Sequence, residues 1–255
     1  THASDHGLPQ AIVRGQWSKS WQWNAYGEAT SVDYRHGSQP RYGYSLDYNA
    51  TGQIISKVER LPDGSSQTYD YTYDNRYRLI EVRRNNQLVE AYGYDANGNR
   101  TLHTSADLNI INRNASYTQG DHLQSHGNST YLYDANGRLS SKLTASEEGL
   151  GLTTYVYSSQ GQLLQVDTPE QAISYRHNTL GNRVAKLING VVTEQYLWQD
   201  LTTLLAIYDG AGQLKQRFEY TLGHTPTSFT QDGKRYFIQA DHLGSPRVIT
   251  DSSGS

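Results

Sequence analysis

The segment Tyr92-Gly93-Tyr94-Asp95-Ala96-Asn97-Gly98-Asn99-Arg100 returns further along the chain as Tyr131-Leu132-Tyr133-Asp134-Ala135-Asn136-Gly137-Arg138-Leu139. A chain that repeats itself at short intervals builds its fold from stacked copies of one unit. Weaker copies keep an aromatic residue, a second aromatic two positions on and a glycine four positions after that. They are Trp21/Trp23/Gly27, Tyr155/Tyr157/Gly161 and Tyr175/His177/Gly181. Leu46/Tyr48/Gly52 fits with leucine first, and Tyr71/Tyr73 fits with Tyr77 where glycine should stand. The run from Tyr208 to Leu214 keeps the second half, with Asp209 and Gly212. Residues Tyr117 to Leu123 form a further eroded copy. The turn glycines recur mostly 20 to 32 residues apart, a spacing typical of repeat proteins.

The physics of one unit is readable. Aromatics at i and i+2 lie on one face of a strand. Asp-Ala-Asn-Gly then closes a tight turn: the aspartate accepts from backbone N–H groups ahead of it, and the glycine takes the left-handed conformation. This is the three-residue hairpin with a glycine bulge. The following Arg-Leu or Gln-Leu opens the return strand. Pro62-Asp63-Gly64, Asn85-Asn86, Asn189-Gly190 and Asp232-Gly233 separate the units. Each repeat is thus about two strands and two turns. One hairpin alone is marginal in water, so stability must come from stacking neighbours. No segment has a helical period of useful length; Gln199 to Ile207 comes nearest and reads as a strand.

Composition supports a thin, polar-edged core. There are 21 tyrosines but 3 phenylalanines, with no cysteine or methionine. Each tyrosine brings a hydroxyl that needs a partner. The 23 glycines and 6 prolines suit many tight turns. With 22 basic against 25 acidic residues and no run of like charge, there is no footprint for nucleic acid or an anionic membrane. No apolar stretch is long enough to span a bilayer. Thr1-His2-Ala3-Ser4-Asp5 does not look like a signal peptide. Without cysteine there is no disulfide framework or thiolate metal site. Without methionine the chain reads as a fragment or a processed piece.

These motifs resemble the RHS/YD-repeat family, whose defining unit is Tyr-x-Tyr-Asp-Ala-Asn-Gly. The residues Tyr236-Phe237-Ile238-Gln239-Ala240-Asp241-His242-Leu243-Gly244-Ser245-Pro246-Arg247 are similar to the RHS core segment found late in such proteins. The resemblance runs from about Trp17 onward. It implies one long β-sheet spiralling into a hollow shell. In bacterial RHS proteins and the BC part of insecticidal toxin complexes, such a shell encloses a C-terminal toxin; teneurins use a similar barrel in adhesion. Members with the toxin function carry an aspartate-based self-cleavage site after the core, with an Asp-Pro-x-Gly-Leu-like motif that is absent here. No catalytic residue is carried over, and Asp241 and Asp251 are not read as a cleavage pair.

His122 and His126 have i, i+4 spacing, but in a Gly- and Ser-rich stretch they read as solvated loop histidines. No Gly-x-Ser-x-Gly nucleophile elbow is present. Asp241-His242 reads as a turn variant of the repeat, with Gly244, Pro246 and Arg247 completing it. Asp74, Asp95, Asp134 and Asp209 lack the dense carboxylate spacing of a calcium loop and read as turn caps. Asn114-Ala115-Ser116 and Asn128-Ser129-Thr130 match glycosylation acceptors by chance. Sheet-face tyrosines favour cross-strand packing over sugar stacking.

The expectation is therefore an all-β chain, residues 1–255 forming a single YD-repeat array that curves as part of a shell, with 236–255 as the RHS-core marker. It is expected to be non-catalytic, without cofactor or metal. Its partners are the rest of the parent shell and a C-terminal toxin cargo; the parent is secreted or on the cell surface of a bacterium. The alternative is a carbohydrate- or protein-binding adhesion module. Uncapped sheet edges and near-neutral charge also predict self-association of the isolated chain.

Overall fold

The computed structural model describes residues 7–221 and 223–255; the N-terminal pentapeptide considered above lies outside them. Among the described residues there are 23 β-strands and no helix. The chain is all-β. Every strand pair with a defined register joins antiparallel sequence neighbours, from Ala11–Arg14 with Trp17–Trp23 to Ser228–Gln231 with Lys234–Ala240. That is the meander expected when each unit is a hairpin joined to the next by another tight turn.

The repeat turns share one geometry. In the turn headed by Asp134, Asp134 N–H donates to the Arg138 carbonyl at 2.8 Å and Gly137 N–H donates to the Asp134 carbonyl at 2.9 Å. Asp134 Oδ1 accepts from the N–H groups of Asn136 and Arg138, both at 2.9 Å. The fourth residue is left-handed, with φ of 94° at Gly98 and 75° at Gly137. Tyr133, just before the turn, pairs with Leu139 across a register shift, which is the glycine-type bulge. Asn24, Asn49, Asn178, Asp209, Asp241 and Asp251 head turns of the same pattern. Two turns carry a side chain at the left-handed position, Tyr77 with φ 65° and Asp121 with φ 61°. The Gln199–Ile207 reading is corrected in part. Gln199 N–H bonds the Thr203 carbonyl at 2.9 Å, closing a turn capped by Asp200, and the strand begins only at Leu204.

In most units the second aromatic has a specific task. Tyr48 Oη donates to the Ala29 carbonyl, Tyr73 to Ile54, Tyr94 to Leu79, Tyr133 to Leu123 and Tyr220 to Leu204, at 2.7–2.9 Å. Trp23 and Trp198 do the same through Nε1, onto Pro9 and Arg183. In all but one case the acceptor is the first residue of an earlier return strand, two positions short of that strand's first ladder pair with the strand that follows it. The ring packs while its polar end satisfies that carbonyl, which is why phenylalanine does not replace tyrosine here.

By contacts the described residues form two units. The first comprises 7–95, 100–112 and 239–255; the second comprises 96–99 and 113–238 without 222. The first is centred on Val32, Tyr34, Tyr42, Tyr44 and Leu46, with Trp21, Tyr48, Ile54 and Val248 packed against them. Tyr34 and Tyr42 are cross-strand partners with ring centroids 5.8 Å apart. The second has a sparser interior. Ala185, Leu187, Ala206 and Phe229 are buried, and Phe229 stacks on Tyr236 at 5.1 Å.

Candidate functional site

The repeat residues singled out in the sequence are spread along the units rather than gathered at one point. Asp95 and Gly98, Asp134 and Gly137, Gly161, and Asp209 and Gly212 lie in four separate repeat turns. The turns are tied to one another. Arg78 Nε bonds Asp74 Oδ2 of its own turn at 2.7 Å, and its Nη1 reaches the Asp95 carbonyl of the next at 2.9 Å. Arg138 repeats this with Asp134 and the Ser158 carbonyl. Backbone donors, first the N–H of Arg78 and of Arg138, together with the arginine side chains, hold the Asp74 and Asp134 carboxyls below their ordinary range. The first aromatics pack instead: Tyr92 stacks on His103 at 5.3 Å, and Tyr155 is partly buried on its strand. Tyr131 lies on the same face as Tyr133, and Tyr157 lies under the Arg138 guanidinium at 5.3 Å. His122 stacks on Tyr133 at 4.7 Å. Among the described residues no three His, Asp or Glu side chains converge for a metal.

One predicted segment does come together with distant residues. Asp241 Oδ1 accepts from Leu243 N–H and Ser245 N–H at 3.0 Å, Gly244 has φ 83°, and Pro246 opens the strand Pro246–Asp251. A proline is tolerated there because a first strand residue need not donate to the ladder. This hairpin docks on the core of the first unit. Tyr34 Oη donates to the Ala240 carbonyl at 3.0 Å. The His242 ring meets the Tyr44 ring edge-on at 6.0 Å. Arg247 forks onto Glu59, Nε to Oε1 and Nη2 to Oε2, each at 3.0 Å.

Glu59 is 0% exposed, so its charge demands full compensation. Tyr42 Oη donates to Oε1 at 2.6 Å and Lys57 Nζ stands 3.6 Å away. Burial opposes the charged form, but the Tyr42 hydroxyl, Arg247 and Lys57 together outweigh it and hold the carboxyl below its ordinary value. Burial lowers Lys57, whose ammonium lies 4.4 Å over the Tyr69 ring. Burial, then the Glu59 hydrogen bond, raise the Tyr42 phenol. Burial also lowers His242. Lys57 and Glu59 are the residues that sequence reasoning missed. The one available signal was an inverted alternation, with Ile55 outward and the charged pair on the inner face.

This arrangement ties down a chain segment and presents no nucleophile–base pair. The Teneurin YD-shell family model matches residues 7–255. The chain belongs to the Teneurin YD-shell family. As a YD-shell segment it is a structural shell element, and the RHS/YD-repeat resemblance holds. Mouse teneurin-4 is 24% identical over 98% of this chain, which corresponds to 9% of teneurin-4. The tRNA3(Ser)-specific nuclease WapA of Bacillus spizizenii is 27% identical over 71% of this chain and 8% of its own length. The chain thus spans less than a tenth of these relatives. The crystal structure of TcdB2-TccC3-TEV superposes with a TM-score of 0.52 at 11% identity, covering 98% of this chain and 19% of that one. That likeness is one of fold.

Proposed function

We propose that this YD-shell segment is a non-catalytic stretch of wall, one continuous repeat array from 1 to 255, in an exported or cell-surface bacterial protein whose shell encloses a C-terminal toxin cargo. The observation that carries this reading is the docking of the 239–251 hairpin on the wall's own core through Glu59 and Arg247. A chain leaving the array there starts from a fixed point on the wall, as an enclosed cargo requires. The repeat residues Tyr92, Tyr94, Asp95 and Gly98 and their counterparts act as the hooks and caps that stack the wall.

In the parent protein, limited proteolysis should spare a segment following Ser255, and Arg247→Ala should expose it. Cleavage of that segment at the same rate in both proteins would overturn the cargo reading. The adhesion alternative draws its support from the exposed rings of Tyr26 and Tyr77. Binding on a glycan array that disappears with Tyr26→Ala and Tyr77→Ala would favour it instead.

A further inference from the structure

The unit Tyr175/His177/Gly181 breaks the repeat at two places that meet in space. The second aromatic is His177, where Tyr73, Tyr94 and Tyr133 stand in other units. The first residue of the return strand is Arg183, where Leu79, Leu139, Leu163, Leu204 and Leu214 stand. Arg100 also occupies a return-strand start, stacked on Tyr92 at 5.4 Å, but there the second aromatic is Tyr94, tied to Leu79. Departures from a repeat that stabilises itself are expected where the chain does something besides fold.

His177 and Arg183 line an open cleft of about 480 Å³, within the range that holds small organic ligands. Three buried polar atoms here have no partner: His177 Nδ1, Asn182 Oδ1 and Arg183 Nε. Asn182 is 6% exposed, and its Nδ2 is committed to the carbonyls of Asp200 and Leu201 at 3.2 Å. The Arg183 guanidinium lies 3.7 Å from the Tyr175 ring centroid, and no carboxylate pairs with it among the described residues. Stacking occupies its face and its Nε is buried, which leaves the outer edge, the paired Nη donors, to receive a carboxylate. Burial, then the Arg183 charge, lower the His177 pKa from its ordinary value. The Trp198 and Tyr196 polar ends are spent on the Arg183 carbonyl and Glu194, so these residues offer ring surface beside Leu180 and Leu201. Native proteins rarely leave such groups unsatisfied without a reason.

We propose that this cleft binds a carboxylate borne on an apolar body with an adjacent N–H. The carboxylate sits on Arg183, the N–H donates to Asn182 Oδ1, and the body rests between Trp198 and Leu201. An N-acylated apolar amino acid and the C-terminal residue of a polypeptide share this chemistry. The inference is independent of the shell reading.

Titration calorimetry with N-acetylleucine tests it. The acid should bind, and N-acetylleucinamide, which lacks the charge, should bind at least about tenfold more weakly. Arg183→Leu and His177→Tyr each put back the residue found in sister units; both should abolish binding while the thermal midpoint holds or rises. The acid–amide comparison uses the unaltered protein and stands whether or not the variants fold. A peptide ending in leucine that binds as well as the acid assigns the site to a chain terminus; binding of the acid alone assigns it to a small molecule. Either supports the proposal. No heat up to about 10 mM, equal binding of acid and amide, or undiminished binding by both folded variants would overturn it.

Discussion

Arg247 reaches across 188 residues of chain to hold Glu59, with both guanidinium contacts at 3.0 Å. Arg247 is partly exposed while the Glu59 side chain is 1% exposed, so removing the arginine strands a buried carboxylate. Arg247→Met should destabilise the protein by about 2–4 kcal/mol. Adding Glu59→Gln should recover part of that loss, measured by denaturant unfolding. Equal stability of Arg247→Met and the parent would show that the fork contributes nothing.

The same carboxylate makes an acid prediction. Its folded pKa is held below the unfolded value of 4.5. Its contribution is therefore complete above pH 4.5 and is lost as pH falls through the depressed folded value. The thermal midpoint should drop below pH 4.5, and Glu59→Gln should flatten that drop.

At the alkaline end the sign reverses in the tyrosines. Burial pushes Tyr34 from 10.0 up to about 12, and raises Tyr42, Tyr44, Tyr71 and Tyr196 further. Their contribution is full below pH 10 and is lost as pH rises through the folded values. Unfolding should begin above pH 10 and coincide with a cooperative rise in tyrosinate absorbance. A smooth tyrosinate titration in a still-folded chain would contradict it.

The hydroxyl hooks are testable by removing one oxygen. Tyr73→Phe and Tyr94→Phe leave the carbonyls of Ile54 and Leu79 without their donors, each at a cost of about 1–2 kcal/mol. Tyr155→Phe has no such hydrogen bond to lose and should be near neutral. The contrast is read from urea midpoints.

Turn conformation gives a pair of opposite effects. Gly98 has φ 94° and open space where a Cβ would go, so Gly98→Val tests backbone strain alone and should cost about 1–3 kcal/mol. Tyr77 already carries a side chain at φ 65°; Tyr77→Gly relieves that strain and should be neutral or stabilising by up to about 1 kcal/mol. Loss of stability in Tyr77→Gly would mean its exposed ring packs more than it strains.

Self-association of the isolated chain is expected to involve Leu132, Leu143, Leu150, Leu152 and Val156, which are exposed on neighbouring strands. The net charge of −3 opposes it little. Light scattering should show a dimer that Leu143→Lys dissociates; a monomer up to high micromolar concentration would end this proposal.

The strand period, the hairpin turns and the left-handed glycines were legible because each depends on residues within about six positions of one another. Asp134, Asn136, Gly137 and Arg138 make their turn from their own backbone and side chains, whatever surrounds them. Turn-only reasoning even located Asp241–Gly244. It did not reveal that the hairpin docks, because Glu59 and Arg247 each look like an ordinary exposed charge until the sheet brings them together. The destination of the tyrosine hydroxyls was hidden for the same reason: the acceptor is a backbone carbonyl, which every residue carries, and only stacking register selects Ile54 or Leu79. The cleft at His177 and Arg183 lies between these cases. The substitutions are visible in the sequence as worn copies of the repeat, but a worn copy and a site look alike on paper. Packing alone shows that the two replacements face one space and leave their polar atoms unsatisfied.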